Sequence, residues 1–195
     1  AQSIVYAAEN GARIVNASWG CNGCNASYVR AAIEILGESG GLLIAAAGNS
    51  GEDNDVSAHY PSSHTHDNLI AVAANDQDGH LVDVPGWWGS NYGKTSVDLA
   101  APGHYIASTT INDSYSYMSG TSMAAPHVSG AAALFLSVHP DATYQEIREQ
   151  LLNTVTPDET LLETTVTGGR LDIGTLLNQD LQAPHPPTDL SITRG

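Results

Sequence analysis

The stretch GTSMAAPHVSG, residues 120–130, decides how the chain is read. It sets one serine, Ser122, between small residues at the mouth of an apolar run that continues to Val138 and stops before Pro140. Met123 to Val138 reads as the longest helix of the chain, alanine-rich and apolar nearly all round in its first half, which belongs in a core. A hydroxyl at such a mouth has free backbone N–H groups and the positive end of a helix dipole beside it. Gly120 lets the chain turn tightly and leaves room for another backbone to approach. Taken alone, a serine before an apolar run is more simply a helix cap than a nucleophile.

Outward from that helix the pattern alternates. Residues 1–11 read as an amphipathic helix ended by Gly11, residues 12–19 as a strand, and residues 28–36 as a second helix. Residues 41–47 and 69–74 are continuous apolar runs of the kind buried on both faces of a parallel sheet. Thr143 with Glu146 three residues on forms a capping box that opens a helix to about residue 154. A short element is expected over 171–177. Strands alternating with helices imply an α/β fold, a mostly parallel sheet flanked by helices. The connections 49–63 and 75–95 are long, polar and glycine-containing, and loops of that kind carry function. Residues 179–195 read as a proline-rich linker, with Leu190 and Ile192 alternating as at the start of a β-sandwich module.

The 195 residues carry six basic and 21 acidic side chains, a formal net charge of −15, with 42% hydrophobic content. That charge repels nucleic acid and anionic membrane surfaces, so neither is expected as a partner. No run approaches the ~20 apolar residues of a membrane span, and the chain opens without a signal-peptide pattern. Cys21 and Cys24 form a lone CNGC. A disulfide or two inert thiols are favoured over a redox pair or half a metal site, because no second ligand pair is visible at zinc spacing.

The whole of GTSMAAPHVSG resembles the nucleophile motif of the subtilisin-like serine proteases, and three further segments extend the resemblance: AAAGNSG at 45–51, IVNASWG at 14–20 and LAAPG at 99–103. Together they are similar to the C-terminal half of that family's peptidase domain, over residues 1 to about 178. The resemblance implies that Ser122 is the catalytic nucleophile and that Asn49 donates its side-chain N–H to the oxyanion. An amide donates without losing a proton, so it would serve across the pH range. Ser18, Trp19 and Gly20 are implied to pair backbone to backbone with an extended peptide. Ala47 and Gly48 are implied to wall the primary specificity pocket, with HYP at 59–61 adding to it. An open, apolar pocket for large uncharged side chains is the expectation. No cofactor is required for the chemistry. A structural calcium is a family habit; Asp53 and Asp55 are the first candidate carboxylates, set against a reading as solvated loop residues, and the metal site is otherwise unknown. The family also implies an extracellular setting and protein or peptide substrates.

A site of this kind needs an aspartate and a histidine that precede the serine in the order Asp, His, Ser. Neither family segment occurs in these residues, so the fold is expected to be incomplete, with the N-terminal strands and their Asp and His supplied by sequence outside this chain. His127 lies five residues past Ser122, about 140° round the helix and ~7.5 Å along it, and is implied to be structural. His59, His64 and His66 read as surface loop residues in preference to a metal cluster. Without a base the chain alone is expected to be nearly inert. Its strand at 12–19 is expected to lie at an exposed edge and to need the upstream half as a partner. The alternative functions are an inert peptide-binding or assembly module and, more weakly, a CNGC oxidoreductase.

Overall fold

The computed structural model describes residues 1–24 and 26–178; the expected linker at 179–195 lies outside the described residues. In chain order the elements are α1 (Gln2–Glu9), β1 (Ile14–Ala17), β2 (Cys21–Asn22), α2 (Ser27–Glu38), β3 (Leu42–Ala46), β4 (His59–Tyr60) and β5 (Leu69–Asn75). There follow β6 (Asp83–Val84), β7 (Trp88–Gly89), β8 (Leu99–Pro102), β9 (Ile106–Thr110) and β10 (Ser114–Met118). The C-terminal part holds α3 (Thr121–Val138), α4 (Tyr144–Asn153), β11 (Thr156–Pro157), β12 (Gly169–Arg170) and α5 (Ile173–Asn178).

Six strands form the central sheet in the order β1-β3-β5-β8-β12-β11. The pairings from β1 through β12 are parallel, and only β11 runs against its neighbour. The apolar runs at 42–46 and 69–75 are continuous because both faces of each strand are covered. Leu42, Ile44, Ala46, Ile70, Val72 and Ala74 point to the α3 side, packing on Ala124, Ala125, Val128, Ala131 and Ala132. Leu43, Ala45, Leu69 and Ala71 point the other way, onto Ile4, Ala32, Ile33 and Leu36 of α1 and α2. Alanine on α3 lets that helix lie close on the sheet. The Thr143–Glu146 capping box opens α4 as read from sequence.

Arg148 of α4 reaches across to the sheet. Its Nη2 donates to Asp98 Oδ1 at 2.8 Å, and Asp98 Oδ2 accepts the Ala71 N–H at 2.8 Å. Burial pushes the Asp98 carboxyl up, opposed by the Ala71 N–H and the Arg148 charge.

Strand β1 has a partner on one side only among the described residues, so the sheet ends there as expected. The hairpin β9–β10, spanning 106–118, was not anticipated. Its strands read IASTT and SYSYM, too polar and exposed to show a core-facing alternation. The turn between them is made by Asn112 and Asp113 at φ 61° and 51°, a conformation those residues tolerate.

Candidate active site

Ser122 is the second residue of α3, and the helix opens in an unusual way. Gly120, at the N-cap, has φ 151° and offers no side-chain cap. The cap comes instead from a loop 72 residues earlier: Asn49 Oδ1 accepts from the Thr121 N–H at 2.8 Å and from Thr121 Oγ1 at 3.0 Å. The Thr121 hydroxyl in turn accepts the Gly48 N–H at 3.1 Å. Two donors on one atom identify it as the amide oxygen, so Nδ2 is the outward end of the exposed Asn49 side chain. A φ of 151° is one that L side chains rarely adopt, which explains the glycine; a Cβ there would only touch that amide, at 3.4 Å.

Pro126 lies inside α3 and has no N–H to give the Ser122 carbonyl four residues back. Ser18 Oγ supplies that donor at 2.7 Å, itself accepting from Asn16 Nδ2 at 2.8 Å. Ser122 Oγ returns a bond to the Ser18 carbonyl at 3.1 Å. The segment Ser18-Trp19-Gly20 that leaves β1 is thereby laced to the serine, with Trp19 45% exposed.

An imidazole packs against the end of this segment. Ala47 is fully buried, Gly48 has φ 113°, and the imidazole of His59 lies between Gly48 and Gly20. A Cβ at Gly20 would fall 2.1 Å from His59 Cε1, and one at Gly48 would fall 3.0 Å from His59 Cδ2. His59 is thus buried, at 7% exposure, and is not the surface residue expected. The reason is pairing: β2 binds β4 antiparallel, Asn22 opposite His59, which folds the loop under the groove. Ser62 Oγ donates to the His59 carbonyl at 2.8 Å and so accepts from Nδ1 at 3.0 Å. Burial holds the His59 ring below the usual histidine range, with Glu52 opposing. The imidazole thus sits against Gly48, one of the two residues expected to wall the pocket, and belongs to the HYP segment expected to add to it.

His127 Nδ1 bonds the Met123 carbonyl at 2.8 Å, one turn back on its own helix. Ser122 and His127 both line a cavity of about 480 Å³ with Met123 and Pro126, walled on its other side by the β9–β10 hairpin. The helical rotation keeps the ring off the hydroxyl, yet the cavity spans both. Cys21 and Cys24 are joined in a disulfide.

His64 and His66 are half-buried, 5.6 Å apart between ring centroids, with His64 also against Tyr60 at 4.7 Å. Asp53 Oδ1 accepts the Asp55 N–H, and Asp55 Oδ2 accepts the Thr95 N–H, each at 2.9 Å. Burial raises the Asp55 carboxyl, but hydrogen bonds from Ser96 and Thr95 outweigh it and hold it low. Asp53 thus braces its own loop and Asp55 ties that loop to the segment at Thr95, and the described residues hold no cluster of three or more His, Cys, Asp or Glu placed to share an ion.

Three positioning residues have roles that the sequence does not reveal, although Thr121 stands inside the GTSM motif. Thr121 orients Asn49 as described. Asn91, fully buried, accepts from Ser50 N at 2.8 Å and Glu52 N at 3.3 Å and donates to Asn54 Oδ1 at 2.9 Å. Asn54 Nδ2 donates to the Ala47 carbonyl at 2.9 Å. This asparagine pair fixes the loop on either side of Asn49, a role that only tertiary contact reveals.

A profile of the subtilase family, peptidase S8, matches residues 1–180. The thermophilic serine proteinase of Bacillus sp. (strain AK1) is 44% identical over 137 residues, covering 70% of this chain and 31% of the relative. Subtilisin-like protease 2 of Plasmodium falciparum is 40% identical over 150 residues, 75% of this chain and 11% of the relative. Thermitase of Thermoactinomyces vulgaris is 38% identical over 154 residues, 79% and 50%. The chain thus spans half or less of the length of these relatives. Among solved structures, the prenylagaramide maturation protease PagA superposes with a TM-score of 0.77 at 32% identity, over 91% of this chain and 66% of that one. The patellamide maturation protease PatA gives 0.76 at 32%. With the parallel sheet, the serine at the mouth of α3 and the capping asparagine before it, these likenesses place the chain in the subtilase family of serine proteases.

Proposed function

We propose that this chain is the nucleophile-bearing part of a serine endopeptidase that cleaves protein or peptide substrates through an acyl-enzyme on Ser122. The observation that carries the reading is the Asn49 amide: its oxygen is held by Thr121, the residue before Ser122, which leaves the N–H end as the donor. Ser122 Oγ attacks the scissile carbonyl and gives up its proton to a base. The oxyanion is held by Asn49 Nδ2 and the Ser122 N–H, and the amine departs with the proton the base returns. Water then repeats the sequence on the ester. The peptide lies along Ser18-Trp19-Gly20, its side chain before the cut bond entering the pocket of Ala47, Gly48 and His59.

The base and its orienting carboxylate come, in this reading, from residues outside the 195, as an upstream half of the same peptidase domain. An extracellular setting agrees with the disulfide, and neither nucleic acid nor a membrane is assigned as a partner on the strength of the −15 charge. No helix among the described residues is long and apolar enough to cross a membrane.

A second reading, an inert peptide-binding module, draws support from one contact: Ser122 Oγ donates to a backbone carbonyl, not to a ring nitrogen. Fluorophosphonate labelling of Ser122, with and without the upstream half, decides between them. Labelling in the mixture alone is expected; its absence from a folded complex overturns the catalytic reading.

A further inference from the structure

Four aromatic rings gather at the carboxyl edge of the sheet, away from the pocket. Trp87 and Trp88 lie 6.3 Å apart between centroids, with His104 at 6.0 Å and 5.8 Å from them. Tyr105 closes the group, 4.4 Å from His104 and 6.2 Å from Trp87. Trp87 is 59% and Tyr105 60% exposed, so large apolar faces are shown to solvent at one place. Trp88 Nε1 and His104 Nδ1 are buried without a partner among the described residues. The rings pack on one another above backbone that is itself hydrogen-bonded, and what the cluster offers a ligand is a π-face.

The cluster is tied to the site from two directions. Gly51, two residues past Asn49, donates its N–H to the Gly89 carbonyl at 2.9 Å, next to Trp88. The Tyr105 N–H donates to Ser119 Oγ at 2.9 Å, and the Gly120 N–H to the Gly103 carbonyl at 2.8 Å. Tyr105 holds φ 51°, an uncommon conformation for a bulky residue that is retained where surroundings enforce it.

Sheet order tells which side of the cut bond this is. Ser18-Trp19-Gly20 leaves the end of β1, Asn49 follows β3, and His104-Tyr105 follows β8, two strands beyond β3 and opposite to β1. Strands lie about 4.8 Å apart, so the β8 end is ~10 Å past the oxyanion donor, the reach of about three residues of extended peptide. We infer that Trp87, His104 and Tyr105 form a platform that takes an aromatic side chain of the substrate, about two or three residues after the cut bond. The inference rests on the groove reading above but concerns binding, not the nucleophile.

The test titrates the complex of this chain with the upstream half, carrying Ser122→Ala so that no peptide is cut. The ligands are a blocked octapeptide of glycine and serine bearing one phenylalanine, its phenylalanine-to-alanine counterpart, and maltohexaose, read by calorimetry and tryptophan emission. The phenylalanine peptide is expected to bind about tenfold more tightly than the alanine one. Trp87→Ala and Tyr105→Ala are each expected to erase that preference and Trp87→Phe to keep it, with unchanged far-UV spectra for all three. Equal affinity for the two peptides, a preference that survives both alanine variants, or binding of maltohexaose instead overturns the platform. Ser122 labelling is independent of these outcomes, so failure of the platform and failure of the catalytic reading are told apart.

Discussion

Thr121→Val tests the arrangement at the mouth of α3, because valine keeps the shape and removes only the hydroxyl. Thr121 is fully buried, and its Oγ1 accepts the Gly48 N–H while donating to Asn49 Oδ1. The variant leaves a buried N–H without a partner, a loss of about 1–3 kcal/mol, which in a chain of this length lowers Tm by roughly 2–12 °C. Asn49 keeps its bond from the Thr121 N–H, so the amide is loosened but not released. In the complex with the upstream half, fluorophosphonate labelling of Ser122 is then expected to slow about tenfold, ~1.4 kcal/mol. That is less than the roughly 10²–10³-fold cost of removing an oxyanion donor of this type outright. Thr121→Ser, which keeps the hydroxyl, holds the labelling rate near the parent. A Thr121→Val chain with unchanged Tm and labelling rate would refute the claim that this hydroxyl orients Asn49.

Other perturbations follow from the same contacts. Arg148→Met strands the Asp98 carboxylate in the sheet and is expected to cost about 3 kcal/mol in urea unfolding, the low end for a broken buried pair because the Arg148 side chain is 34% exposed. Asp98→Asn added to it recovers part of the loss, and a single-variant loss under ~1 kcal/mol would contradict the pairing. Gly20→Ala drives a Cβ to 2.6 Å from the Tyr60 carbonyl as well as into His59, and is expected to cost roughly 1–3 kcal/mol in the same assay; a neutral result would mean the ring does not pack against Gly20. The His59 ring titrates lower in the folded chain than the ~6.5 of an unfolded one. Its contribution to stability is therefore complete above that value and lost as pH falls through the folded pKa, since the unfolded chain takes the proton first. Urea unfolding at pH 7.5 and 5.5 is expected to show a smaller loss on acidification in His59→Gln than in the parent, and equal losses would count against it.

Much of the frame was legible before any coordinates. Residues 41–47 and 69–74 read as doubly buried strands because a parallel sheet demands apolar residues on both faces, and the capping box over 143–146 is a purely local device. The hairpin 106–118 was not legible, since its exposed strands carry no hydrophobic period and its turn depends on Asn112 and Asp113. In the site, Ser122 and Asn49 stand in quotable motifs, as do Ser18, Trp19 and Gly20. What escaped were residues whose work is done at a distance in sequence: Thr121, Asn91 and Asn54 are ordinary polar side chains until the fold buries them against Gly48 to Glu52. The burial of His59 escaped for the same reason, although HYP at 59–61 is expected near the pocket, because the β2–β4 pairing that buries the ring is two residues long and leaves no pattern.

The proline at 126 links the groove to the serine. A helix interior without an N–H leaves one carbonyl open, and here that carbonyl belongs to Ser122 itself. The Ser18 hydroxyl fills it from the sheet's edge strand, while the Ser122 hydroxyl rests on the Ser18 carbonyl. Two reciprocal bonds thus fix the distance between the backbone proposed to hold the peptide and the atom proposed to attack it. For the hydroxyl to act, the second bond must be exchanged for one to a base, while the first can persist throughout. Proline at 126 therefore suits the site: by withholding a helical bond it makes the nucleophile's own backbone the anchor for the groove.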